Sequence, residues 1–237
     1  MADATLRFLW TTLTDFEDRF DEFFEELPAE ERVRAERFRI ESARRSFVLA
    51  RTLLRYELAT IIGLDPSELG FEVGDHGKPQ LAKPDLETPP HFNLSHSGDL
   101  VVLAIAETDV GADVESIRPV PNAEKLAHRF FSPAERLAVV SLDGGARDRA
   151  FLRIWTQKEA YLKATGLGVG MPLRGVETEP DSAAPPRLIA IGGDQAEAVR
   201  WEMKEIELPG AVCTVASRSP ISQVEVRQVT PGDLDRA

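Results

Sequence analysis

Two carboxylates stand two residues apart in Val110-Gly-Ala-Asp-Val-Glu115. On a strand alternate residues share a face, so Asp113 and Glu115 point one way while Val114 points into a core. At a Cα separation of about 7 Å the two charges repel unless a cation lies between them. Hard oxygen donors with no neighbouring His or Cys favour Mg²⁺ over Zn²⁺. An exposed strand with a polar face accounts for an isolated Asp-x-Glu just as well, so the pair needs support from elsewhere. Trp155-Thr-Gln-Lys-Glu-Ala-Tyr-Leu-Lys163 offers it. At helical spacing Trp155, Lys158, Glu159 and Leu162 form one stripe, and Glu159 and Lys163 are i, i+4 neighbours. As a surface pair they are worth about 0.3–0.5 kcal/mol. The helix already has an apolar face in Phe151, Leu152, Ile154 and Tyr161, and a carboxylate with adjacent lysines suits a metal–phosphate site.

Further residues fit phosphate chemistry. Lys78 sits on a rigid turn in Gly77-Lys78-Pro79, and the hydroxyls and imidazole of Ser95-His96-Ser97, read as a tight hairpin, can donate to an anionic oxygen. Arginine outnumbers lysine 22 to 6, so positions that keep lysine stand out. Residues 32–55 carry eight arginines against Glu36 and Glu41 inside a chain of net charge −12. That segment reads either as a solvated helix face or as a polyanion site. Glu135 has two readings as well. In Ser132-Pro-Ala-Glu135 it is placed to bond back to its N-cap serine, yet it is also a candidate base. The glycine-rich run 166–170 follows a helix instead of opening one after a strand, so it is no dinucleotide fingerprint.

The elements that must position these groups are legible in outline. Residues 3–10 alternate as a short strand, 13–27 read as an acidic helix, and Pro28 opens another helix to about residue 40. Phe47, Leu54, Leu58 and Ile61 mark a helix over 44–62, closed by Gly63. Strands are expected at 71–73, 92–94, 100–106 and 110–115. A helix starts after Ser132, and another spans 150–165. Four β-like runs at 187–191, 199–207, 211–217 and 223–229 read as one small sheet. Helices with mainly antiparallel strands argue for α+β.

Composition excludes several classes. The 237 residues are 43% hydrophobic and 29% charged, an ordinary globular balance. A lone Cys213 cannot form an internal disulfide, so a reducing, cytoplasmic setting is expected. The longest apolar run, residues 100–106, is too short to span a bilayer. No basic stretch followed by an apolar core opens the chain, so no secretory signal is expected. The acidic charge argues against nucleic-acid binding.

In this order the motifs Gly77-Lys78-Pro79, Phe92-Asn-Leu-Ser-His-Ser97, Gly111-Ala-Asp-Val-Glu115, Phe130-Phe-Ser-Pro-Ala-Glu135 and Trp155 to Lys163 resemble those of the 4′-phosphopantetheinyl transferases. The likeness is to the larger single-chain, surfactin-synthetase-activating class, and it covers roughly residues 30 to 175. The resemblance implies two similar α+β lobes related by a pseudo-twofold, residues 1–110 and 111–237, in a monomer that mimics a dimer. It implies coenzyme A as substrate in the cleft between the lobes, with an acyl or peptidyl carrier protein as partner and Mg²⁺, or Mn²⁺, as the ion. By the same resemblance Asp113, Glu115 and Glu159 are metal ligands, and Glu159, Lys163 and Glu135 are the catalytic candidates. Arg45, Ser46, Lys78, Pro79, Ser95, His96, Asp113, Lys158 and Lys163 would hold the coenzyme. Glu159, Glu135 or a metal-bound water would take the serine proton, and the surface at residues 167–173 would meet the carrier.

Charge supports this independently, because a diphosphate beside three carboxylates needs both a divalent ion and surrounding cations. Two other classes remain: a Mg²⁺-dependent phosphohydrolase of a nucleotide or coenzyme A, and a non-catalytic module that binds coenzyme A or carriers.

Overall fold

The computed structural model describes residues 5–74, 77–167 and 171–235. The chain runs through β1 (Thr5–Thr12), α1 (Phe20–Glu26), α2 (Ala29–Glu36) and α3 (Glu41–Ile62) to β2 (Gly70–Val73) and β3 (Pro79–Lys83). β4 (His91–Ser97), β5 (Leu100–Ala106) and β6 (Val110–Ser116) follow, then α4 (Ala123–Phe130), α5 (Pro133–Val140) and α6 (Gly144–Thr165). The remainder is β7 (Val176–Thr178), β8 (Leu188–Ile191), α7 (Gln195–Ala198), β9 (Glu202–Glu205), β10 (Ala211–Ser217) and β11 (Gln223–Gln228). Strands group as β11-β1-β5-β4, β6-β10-β9, β2-β3 and β7-β8. Only the β1–β11 pairing among these is parallel. The fold is α+β: small, mainly antiparallel sheets packed with helices.

β5 is apolar throughout because it is covered on both faces. Val101, Leu103 and Ile105 join α1 and α3 in one core, while Leu100, Val102 and Ala104 join β6 and β10 in a second. Each fully buried aliphatic there contributes about 1.5–3 kcal/mol. α3 lays Leu49, Leu53, Leu54 and Leu58 on the first core. It ends where Gly63 turns left-handed, at φ +80°, and donates to Ala59 O. α6, also 22 residues long, packs on the opposite face of β6 and β10.

Two expectations are revised. The four C-terminal β-runs do not form one sheet: β8 pairs with β7, β10 pairs with both β6 and β9, and β11 crosses to β1. Alternation shows which face a strand buries, but not its partner. β11 thus returns to the sheet of the first strand, and the second core unites Leu6 and Phe8 with Ala112 and Val215. Ser95, His96 and Ser97 lie within β4, and the hairpin turn is Gly98-Asp99.

Candidate active site

Gly111 sets the geometry. A Cβ there would lie 2.1 Å from Ala160 O, so only glycine lets α6 sit directly on β6. Asp113 and Glu115 share the Gly111 face, and this close approach brings Glu159 and Lys163 of α6 to them. The Lys163 Nζ donates to Asp113 Oδ1 at 2.6 Å and to Ser95 Oγ at 2.8 Å. Asp113 is 5% exposed. Burial raises its pKa to about 6 against the pull of Lys163, with the charges of Glu159 and Glu115 adding to the rise. Burial also raises the pKa of Glu159, opposed by Lys163 and reinforced by Glu115. The three carboxylates thus repel one another inside one site.

Asp113 Oδ2 is buried with no hydrogen-bond partner. An orphaned carboxylate oxygen among three mutually repelling hard donors fits a divalent cation. As the side chains stand, no three acidic, His or Cys groups among the described residues are close enough to ligate one ion. The Lys163 ammonium serves as counter-ion instead.

The edge of β4 meets the edge of β6 through side chains. Asn93 Oδ1, Ser95 Oγ and Ser97 Oγ accept from the backbone N–H groups of Ala112, Val114 and Ser116. Ser95 then donates to Asp113 Oδ1 at 3.1 Å and Ser97 to Glu115 Oε2 at 3.0 Å. This corrects the view of these hydroxyls as donors to a ligand anion, since each has its one proton on an acid. Beside them a cleft of about 210 Å³ is lined by Lys78, Pro79, Leu94, Glu159, Leu162 and Lys163. His96 is near Lys163, and burial together with that charge lowers its pKa, leaving the imidazole neutral at pH 7.

Other expected ligand-holders are engaged elsewhere. The Lys78 ammonium donates to Val110 O and Ala164 O, tying the start of β6 to the last turn of α6. Burial lowers its pKa. Arg45 pairs with Glu41 and stacks on Phe20, Ser46 is buried in α3, and neither lines the cleft. Arg51 and Arg55 are buried against Glu31 and stack on Phe71, so these two arginines of the basic segment are internal structure.

Glu135 and Lys158 are corrected outright. Glu135 Oε2 accepts from Ser132 N and pairs with Lys158 Nζ at 2.8 Å, both side chains being 0% exposed. Its Oε1 accepts from Thr178 N and Oγ1, and Lys158 also donates to Leu173 O and Val176 O. A sealed pair cannot reach a coenzyme or a serine. The glycine-rich run and the expected carrier-facing surface fall partly on residues 168–170, outside the described residues. Sequence reasoning missed the tasks of Gly111, Asn93 and Ser97. A glycine within a strand was the available signal for the first.

Comparison with known proteins shows the family. Residues 109–216 match a family described as the 4′-phosphopantetheinyl transferase superfamily, and residues 11–108 match one described as 4′-phosphopantetheinyl transferase, N-terminal. The 4′-phosphopantetheinyl transferase HetI of Nostoc sp. is 36% identical over 191 residues, 80% of this chain and 77% of its own. A 4′-phosphopantetheinyl transferase of Bacillus pumilus is 37% identical over 145 residues, 61% of this chain and 60% of its own. The 4′-phosphopantetheinyl transferase Sfp of Bacillus subtilis is 31% identical over 153 residues, 65% of this chain and 66% of its own. The acid-bearing strand β6 and its covering helix α6 lie inside the first of these matches and β4 and β5 inside the second, and the chain belongs to the 4′-phosphopantetheinyl transferases.

Proposed function

We propose that the chain transfers 4′-phosphopantetheine from coenzyme A to a serine hydroxyl of an acyl or peptidyl carrier protein, with Asp113, Glu115 and Glu159 holding Mg²⁺ or Mn²⁺. The observation that carries this reading is Asp113 Oδ2, buried without a partner beside two further carboxylates and Lys163. When bound, the divalent ion supplies charge neutralisation and Lewis-acid polarisation at the diphosphate.

In the reaction the serine oxygen forms a bond to the β-phosphorus as the bond to the bridging oxygen breaks, releasing adenosine 3′,5′-bisphosphate. Lys163 Nζ donates to the phosphate oxygens, where charge accumulates. Glu159, one turn from Lys163 on α6 and lining the cleft, takes the proton from the serine hydroxyl through the oxygen that the ion does not hold. Glu135, sealed against Lys158, is out of reach of the serine. Leu94 and Leu162 line the cleft, and their apolar surface disfavours water as a rival nucleophile. His96, its pKa lowered by burial and by the Lys163 charge, contributes a hydrogen bond to the donor without adding charge.

The test incubates the purified chain with Mg²⁺, coenzyme A and a panel of apo carrier proteins. A carrier gaining the mass of one phosphopantetheine group, only with the ion present, is the expected result. Turnover of coenzyme A in the absence of any carrier would point to a phosphohydrolase instead.

A further inference from the structure

We propose that Ser97 is a positioning residue that holds the Glu115 carboxylate ready for a divalent cation, so that the β4–β6 seam organises the site as well as joining two sheets. The inference rests on the cation-site reading above. Glu115 lies at the rim, its side chain 21% exposed, on the last turn-facing portion of β6. A glutamate there has three side-chain torsions, and ordering them on cation binding costs up to about 1.5–2 kcal/mol unless they are already held.

Two contacts hold it. Ser97 Oγ donates to Glu115 Oε2 at 3.0 Å, and Arg118 reaches the same oxygen at a marginal 3.5 Å. The serine is the firmer of the two because its own hydroxyl is locked. Ser97 Oγ accepts from Ser116 N at 3.1 Å, and Ser97 O accepts from Ser116 Oγ at 2.9 Å. With its acceptor side occupied by a backbone N–H, the hydroxyl has its proton free for the carboxylate alone. Both contacts fall on Oε2, and among the described residues Oε1 takes no hydrogen bond, which leaves it available as a ligand oxygen.

Ser95 repeats the arrangement two residues earlier, accepting from Val114 N and donating to Asp113 Oδ1. Asp113 is buried, short and paired with Lys163, so it needs less help. Ser97 serves the more mobile acid. Orienting groups of this kind are typically worth 10–100-fold in metal affinity.

The experiment titrates Mn²⁺ alone into the purified chain, reading free ion by electron paramagnetic resonance, alongside a thermal melt. Ser97→Ala is expected to weaken Mn²⁺ binding by about 10-fold. Ser97→Thr, which keeps the hydroxyl, should stay near wild type. Ser116→Ala removes a seam bond without touching Glu115 and should leave affinity unchanged. If Ser97→Ala does not fold, Ser97→Cys, a weak donor of similar size, carries the same expectation. Wild-type affinity in the folded Ala or Cys variant overturns the inference while leaving the cation site standing. Equal losses in Ser97→Ala and Ser116→Ala also overturn it, because they would assign the effect to the seam alone. No saturable binding by the wild type, or undiminished binding by Asp113→Asn, overturns the cation site and this inference together.

Discussion

Asp113 carries two opposed demands. Its carboxyl is buried at 5% exposure with a pKa raised to about 6, so the ionised form the cation needs is the form the fold disfavours. A group raised in the folded state contributes stability that is full below its unfolded pKa and is lost as pH rises through the folded one. Asp113→Asn should therefore abolish phosphopantetheine transfer yet raise stability at pH 8 by on the order of 1–3 kcal/mol, seen as a higher melting temperature. That gain should vanish below about pH 4. Melts at both pH values beside a carrier-loading assay check the pair of outcomes. Glu159→Gln should cut transfer by at least about 100-fold with little change in folding, because its partly open position leaves no orphaned charge. Glu135→Gln is the contrast. It breaks a sealed pair with Lys158, so a loss of about 3–5 kcal/mol in denaturant unfolding is expected.

Between elements, one contact sets the site and a second ties two helices of the first core. Gly111→Ala would place a methyl 2.1 Å from Ala160 O, and neither strand nor helix backbone can yield. Stability should fall by about 3 kcal/mol, and transfer should drop with it, as α6 no longer carries Glu159 and Lys163 to β6. The second contact joins α2 to α3, where Glu31 lies against Arg51 and Arg55. Burial pushes the Glu31 carboxyl up, but hydrogen bonds from Arg55 and Arg51 and their charges outweigh it, so its pKa is lowered. Its stabilisation is present above the unfolded carboxylate pKa, near 4.3, and is lost as pH falls through the lower folded value. Glu31→Gln should cost about 3–5 kcal/mol at pH 7. The gap to wild type should close under acid conditions, as urea unfolding across pH would show.

For the whole molecule, the last strand is a clasp. β11 pairs with β1, Arg227 bonds Glu57 of α3, and Val229 and Leu234 are buried in the first core. Deleting residues 222–237 bares the β1 edge and two core positions, so the truncated chain should lose soluble yield or aggregate, measured by size-exclusion chromatography. No helix among the described residues is long and apolar enough to cross a membrane.

What the sequence by itself determined was local. Strand periodicity put Asp113 and Glu115 on one face, helical periodicity put Glu159 and Lys163 one turn apart, and the Ser132–Glu135 cap and the Gly63 stop followed from residue type. Each depends on neighbours within a few positions, where backbone geometry is nearly invariant. Tertiary structure decided which groups remain free. It sealed Glu135 with Lys158, turned Lys78 onto Val110 O and Ala164 O, buried Arg51 and Arg55 under Phe71, and sent β11 back to β1. Those outcomes depend on strand partners and burial across long separations. A period in the sequence says which way a side chain points, but not what it meets there.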